Sequence, residues 1–99
     1  MFARALRIQT APDQIDAAVM LFEESVVPLC KNQKGFVGAQ YLADRHTGSS
    51  LLITLWESEA DLQNSERSRF FQEQVAKFIG YFTAPPIRES FEVVLLDLN

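Results

Sequence analysis

The pattern of this 99-residue chain predicts an α+β fold, a ferredoxin-like βαββαβ arrangement with a four-stranded antiparallel sheet and two helices on one face. Three observations predict it. Four extended apolar stretches are separated in turn by a helical pattern, a tight turn and a second helical pattern. The middle two stretches flank RHTG, a hairpin signal. The third, SLLITLW, is apolar on both faces and wants both covered. Helices on one side cannot do that, so the open face is expected to meet a second copy.

The elements follow in order. Phe2 to Thr10 alternates loosely and holds no breaker, as a strand should. Pro12 and Asp13 suit the first turn of a helix. Ile15, Val19, Phe22 and Val26 then mark one apolar helical face. Pro28 is expected to kink or end that helix, with Lys31, Lys34 and Gly35 at its exit. GFVGAQYLAD and SSLLITLWES are the second and third strands. A type I turn with Gly48 in the left-handed position would pair Arg45 with Ser49. That register sets Gly38 opposite Trp56, Gln40 opposite Thr54 and Leu42 opposite Leu52. Val37, Ala39, Tyr41, Leu51, Ile53 and Leu55 would share the other face, and a slip of one residue would invert the assignment. Ser58 opens a capping box completed by Asp61. NSERS is weak helix and a candidate break. Phe71, Val75, Phe78, Ile79 and Phe82 recur at helical spacing until APP stops them, and SFEVVLLDL is the fourth strand.

The length suits a single domain spanning residues 1–99. Hydrophobic residues make up 47%, with eight Phe, more than so small a core needs, which again points to a subunit interface. A homodimer through the sheet face is expected. The net charge of −4 disfavours nucleic acid or an anionic membrane as partner. The aliphatic sheet likewise lacks the exposed aromatics of an RNA-binding version of this topology. One cysteine excludes an internal disulfide and a cysteine-based zinc cage. MFARALRIQT has no signal-peptide core, and no stretch reaches the ~18 apolar residues of a membrane span, so a cytoplasmic protein is expected.

Few residues offer chemistry. His46 belongs to a turn, and Cys30 has no evident His or cationic partner. No phosphate-binding glycine loop or nucleophile elbow is present. Helix capping explains Glu57, Glu59 and Asp61, and Arg67 and Arg69 suit a surface. One constellation remains. The helix-facing side of the sheet would carry Gln40, Thr54 and Trp56, joined by Arg4, Leu6 and Ile8 of the first strand, with Phe22, Phe71 and Phe78 descending from the helices. Apolar walls with a few converging polar groups describe a small-molecule pocket. The same residues also describe a core with a polar rim, and the two readings stand side by side.

GFVGAQYLAD, LLITLWESEADL and APPIRESFEVV resemble the antibiotic biosynthesis monooxygenase family of dimeric α+β barrels. The most specific piece is W-E-S-E-x-x-L after a hydrophobic strand, preceded by G-F-x-x-x-x-x-L. The resemblance implies a dimer and a cofactor-independent monooxygenase turning phenols into quinones, where an electron-rich phenolate itself reduces O2. Such enzymes line their pocket with a strand Asn, a Trp and a Tyr. Trp56 matches the Trp, whereas Leu52 and Leu62 occupy the Asn and Tyr positions. The pocket so implied comprises Trp56, Thr54, Gln40, Arg4, Leu52, Leu62, Phe22, Phe71 and Phe78, takes an aromatic small molecule and needs no metal or cofactor. A haem-degrading branch resembles the same region, but its His, Trp and Asn fall at Val75, Ser65 and Leu6, so haem degradation is rejected. A non-catalytic binding or dimerisation module on the same fold is the alternative.

Overall fold

The computed structural model describes residues 1–99. Strands β1 (Phe2–Gln9), β2 (Phe36–Ala43), β3 (Ser49–Trp56) and β4 (Ile87–Glu92) form one sheet in the order β2-β3-β1-β4. Every neighbouring pair is antiparallel. The helical segments are α1 (Ile15–Leu21), a π-helical turn (Phe22–Val26), α2 (Val27–Cys30), α3 (Glu59–Arg67) and α4 (Phe70–Ala76). This is the expected α+β, ferredoxin-like arrangement. Strand alternation decides which side chains meet the helices. Ser50, Leu52, Thr54 and Trp56 of β3 are buried, and Arg4, Leu6 and Ile8 of β1 lie on the same face, opposite Thr54, Leu52 and Ser50. Leu6, Ile8 and Leu52 pack there against Ala18, Phe22, Val26, Cys30 and Phe78 to make the core. No helix is long and apolar enough to cross a membrane.

The β2–β3 register departs from the expected one by a single residue. Ala39 lies opposite Thr54, Tyr41 opposite Leu52 and Gln40 opposite Ile53. The turn is the cause. Asp44 Oδ1 accepts hydrogen bonds from the backbone N–H of His46 (2.9 Å) and Thr47 (3.3 Å), so the loop begins at Asp44, which itself bonds to Ser49. Gly48 does take the left-handed conformation, with φ of 81°. The longer loop shifts every pairing, and Tyr41 moves to the helix side, where its ring meets Phe22 edge-on at 5.9 Å. A β-bulge between Phe36 and Gly38 then brings Phe36, not Gly38, opposite Trp56.

Two other boundaries bear on the expectations, and the second corrects one. Pro28, expected to kink or end the first helix, follows an irregular turn within it, and the helix runs on to Cys30, with its exit at Lys31 as expected. In a regular α-helix its ring would strike the Glu24 carbonyl. The π turn just before it admits one extra residue, and the Val27 N–H bonds to the Phe22 carbonyl instead. The fourth strand begins earlier, at Ile87, and stops at Glu92. Its pairing partner runs out there: Glu92 lies opposite Phe2, and the last ladder bond joins Val93 N–H to the Met1 carbonyl at 2.9 Å. The capping box forms as expected, the Asp61 N–H donating to Ser58 Oγ at 3.1 Å. The break after α3 falls at Arg69, whose φ is 69°.

A buried cation at an apolar cavity

Between the sheet and the helices lies a narrow cavity of about 40 Å³. Eight of its eleven lining residues are hydrophobic, so any specificity must come from the other three: Arg4, Thr54 and Gln74. Phe22 and Val26 come from the π turn, Cys30 from α2, Leu6 and Leu52 from the sheet, and Phe71, Gln74 and Val75 from α4, with Phe78 just beyond it. The π turn matters here. It holds Phe22, Val26 and Cys30, spaced four apart, on one line, where an unbroken α-helix would rotate each successive residue away.

Arg4 is only 4% exposed. Its Nε donates to Glu66 Oε2 at 3.1 Å, and its Nη2 donates to the Leu62 carbonyl at 3.2 Å and to Ser65 Oγ. Its guanidinium carbon stands 4.2 Å from the centre of the Phe71 ring and 5.6 Å from that of Trp56. Burial pushes the Arg4 pKa down, and the hydrogen bond and charge of Glu66 pull it back. Arginine's ordinary pKa is so high that the group keeps its charge at neutral pH. Glu66 also binds Arg88 Nη1 at 3.2 Å. The outcome is a positive charge at the wall of an apolar space.

Trp56 is fully buried and does not line the cavity. Its ring meets Phe36 edge-on at 5.6 Å, and its Nε1–H donates to Thr54 Oγ1 at 3.0 Å. It stands behind Arg4 and Thr54 and fixes both. Leu62, 2% exposed, contributes its backbone carbonyl to Arg4 rather than its side chain to the cavity. Gln40 sits on the far side of the register slip, exposed, and borders a separate open groove along β2 with Val19, Val27 and Lys31. Of the nine pocket residues expected from sequence, the cavity gathers Arg4, Thr54, Leu52, Phe22, Phe71 and Phe78.

Sequence reasoning missed Cys30, Gln74, Val26 and Val75 as lining residues. Gln74 was legible in principle: it falls between Phe71 and Phe78 at spacings of three and four, a polar interruption of an apolar stripe. Cys30 was passed over because the sequence shows no His or cationic partner for it. Its thiol is pushed up by burial, with the charges of Arg4 and Lys77 pulling the other way. No three His, Cys, Asp or Glu side chains gather as a metal site would require.

A family model described as antibiotic biosynthesis monooxygenase matches residues 1–77. Among solved structures, the fold is similar to a monooxygenase from the gene ActVA-Orf6 of Streptomyces coelicolor, in complex with the ligand Nanaomycin D. The TM-score is 0.73 at 19% identity, over 99% of this chain and 91% of that one. It is similar also to a protein of unknown function from Nitrosomonas europaea, with a TM-score of 0.72 at 21% identity, over 99% and 93% of the two chains. At these identities the likeness is one of fold. An uncharacterized protein of Mycobacterium tuberculosis is 25% identical over 97 residues, but the chain spans only 42% of that relative's length.

Proposed function

Since this chain belongs to the antibiotic biosynthesis monooxygenase family, we propose that it is a cofactor-independent monooxygenase acting on an aromatic phenol or quinol. The observation that carries this reading is the buried Arg4 cation at the wall of an apolar, aromatic-lined cavity. A phenol bound among Phe22, Phe71 and Phe78 would lose its proton to bulk water, and the Arg4 charge would favour the anion in a low-dielectric site. The phenolate then supplies the electrons. It reduces O2, carbon–oxygen bond formation gives a peroxide, and loss of water leaves the quinone. One oxygen atom ends in the product and the other in water, so no external reductant is needed. The protein's part is to hold the ring, stabilise the anion and exclude water.

The roles differ from those in the related enzymes as the sequence resemblance describes them. Leu52 lines the cavity where a hydrogen-bonding Asn would stand, so anion stabilisation falls to Arg4 and Thr54. Trp56 acts by positioning these two rather than by stacking on the ring. Leu52 also favours a second reading, a non-catalytic module that binds small aromatics. Oxygen uptake across a panel of anthrones and hydroquinones separates the two. Uptake above the uncatalysed rate, lowered at least tenfold in Arg4→Met, is expected. Binding without uptake on any substrate would leave the second reading.

The working unit in this proposal is a homodimer. On the open sheet face Leu51, Ile53 and Leu55 are only half-buried, while Leu42, Ile87 and Phe91 are 42%, 57% and 52% exposed. Beyond β4, Val94, Leu95 and Leu98 are more than four-fifths exposed. So much exposed apolar surface favours association. A lone free thiol suits a reducing, cytoplasmic setting.

A further inference from the structure

Gln74 is 7% exposed, lines the cavity, and its side-chain carbonyl oxygen accepts no hydrogen bond from the protein. A buried polar atom left this way is costly, and native proteins rarely tolerate it without a partner. An alternative side chain would have been easy: apolar residues fill the neighbouring positions Phe71, Val75 and Phe78 on the same helical face. The other polar atoms at the cavity are of the opposite kind. Arg4 donates through Nε and Nη2 to protein acceptors, and its Nη1 has none. Thr54 Oγ1 already accepts from Trp56, which leaves its hydroxyl proton to donate. The cavity therefore presents donors that suit an anion or carbonyl, and one bare acceptor that suits an O–H.

We propose that Gln74 determines specificity by accepting a hydrogen bond from a second, un-ionised hydroxyl of the ligand, so that the preferred class is a dihydroxylated aromatic rather than a simple phenol. One oxygen, ionised or carbonyl, faces Arg4 and Thr54; the other keeps its proton for Gln74. The inference rests on the cavity being the substrate site. It goes beyond that reading in naming the second polar contact and the ligand it selects.

The test uses catechol, resorcinol and hydroquinone, each against its monomethyl ether, bound to the full chain under nitrogen. Affinity is measured by chemical-shift titration. Location is read from the same titration, as shifts of the Leu6, Val26, Leu52 and Val75 methyl groups that line the cavity. For at least one isomer the diol should bind about tenfold more tightly than its ether, because the ether leaves the buried acceptor unpaired. Gln74→Met, of similar volume, should abolish that preference while still binding the ether. No preference for any diol, or a preference that persists in Gln74→Met, overturns the inference. The comparison of diol with ether in the unsubstituted protein stands even if the variant fails to fold. Failure of every ligand to shift those methyl groups overturns both the inference and the proposed site. Diol preference without oxygen uptake on any phenol sinks the proposed reaction alone, and uptake without diol preference sinks the role of Gln74 alone.

Discussion

Arg4 is held by Glu66, Ser65 and the Leu62 carbonyl, and pressed between the Phe71 and Trp56 rings. Its only direct counter-ion is Glu66, whose side chain is 19% exposed. Removing one partner of a buried pair strands the other charge, which costs far more than the pair itself contributes. Glu66→Gln should therefore lower stability by roughly 2–3 kcal/mol, the cost being moderated by the partial exposure of Glu66. Arg88→Met should cost under about 1 kcal/mol, since Arg88 is half-exposed and Arg4 keeps its partner. Urea unfolding of the two variants measures both. Equal losses would mean that Arg4 does not depend on Glu66 for its burial. Arg4 was legible in the sequence as a strand residue on the helix-facing side, because strand alternation assigns that side directly. Its partners were not, since Ser65 and Glu66 lie more than sixty residues away and meet it only when α3 packs on the sheet.

At the scale of elements, small deviations decide what the cavity contains. The π turn lets the first helix pass Pro28 and delivers Cys30 to the wall. The Asp44 turn moves Gln40 away and brings Tyr41 in. The β2–β3 turn has a second anchor. Gly48 packs on Thr10, whose N–H donates to the Gly48 carbonyl at 3.1 Å. A Cβ on Gly48 would lie 1.9 Å from the Thr10 carbonyl oxygen. Left-handed backbone alone is tolerated by Asn, but the close approach is not. Gly48→Ala and Gly48→Asn should thus both lower stability by on the order of 2 kcal/mol or more. Thermal unfolding reads this. Full recovery in the Asn variant would show that φ, and not the contact with Thr10, is what requires glycine.

For the molecule as a whole, the helices cover one face of the sheet and leave the other to Leu51, Ile53, Leu55 and Phe91. Ile53 lies at the centre of that face, opposite Ala5 on one side and Gln40 on the other. A carboxylate buried there without a partner would be strongly unfavourable. Ile53→Glu should convert a dimer to monomer in sedimentation velocity, with the helix face and its cavity intact. A wild-type chain that sediments as a monomer at tens of micromolar would remove the dimer from the proposal.

By itself the sequence determined the order of strands and helices, the helix-facing side of β1 and β3, the capping box at Ser58 and the family to which the whole pattern points. These follow from periodicity, turn chemistry and local capping, all of which act over a few residues. The tertiary structure decided the β2 register, the passage of the helix through Pro28, the end of β4 and the role of Trp56. The first depended on one aspartate bonding two backbone amides, the second on one added residue in a helical turn, and the third on where a distant strand happens to begin. Trp56, placed by sequence at the edge of a pocket, became the buried support of Arg4 and Thr54 because packing from Phe36 closed over it. Gln74 shows the same division: its place on the apolar stripe was readable, but that its carbonyl would lack a partner depended on every element around the cavity.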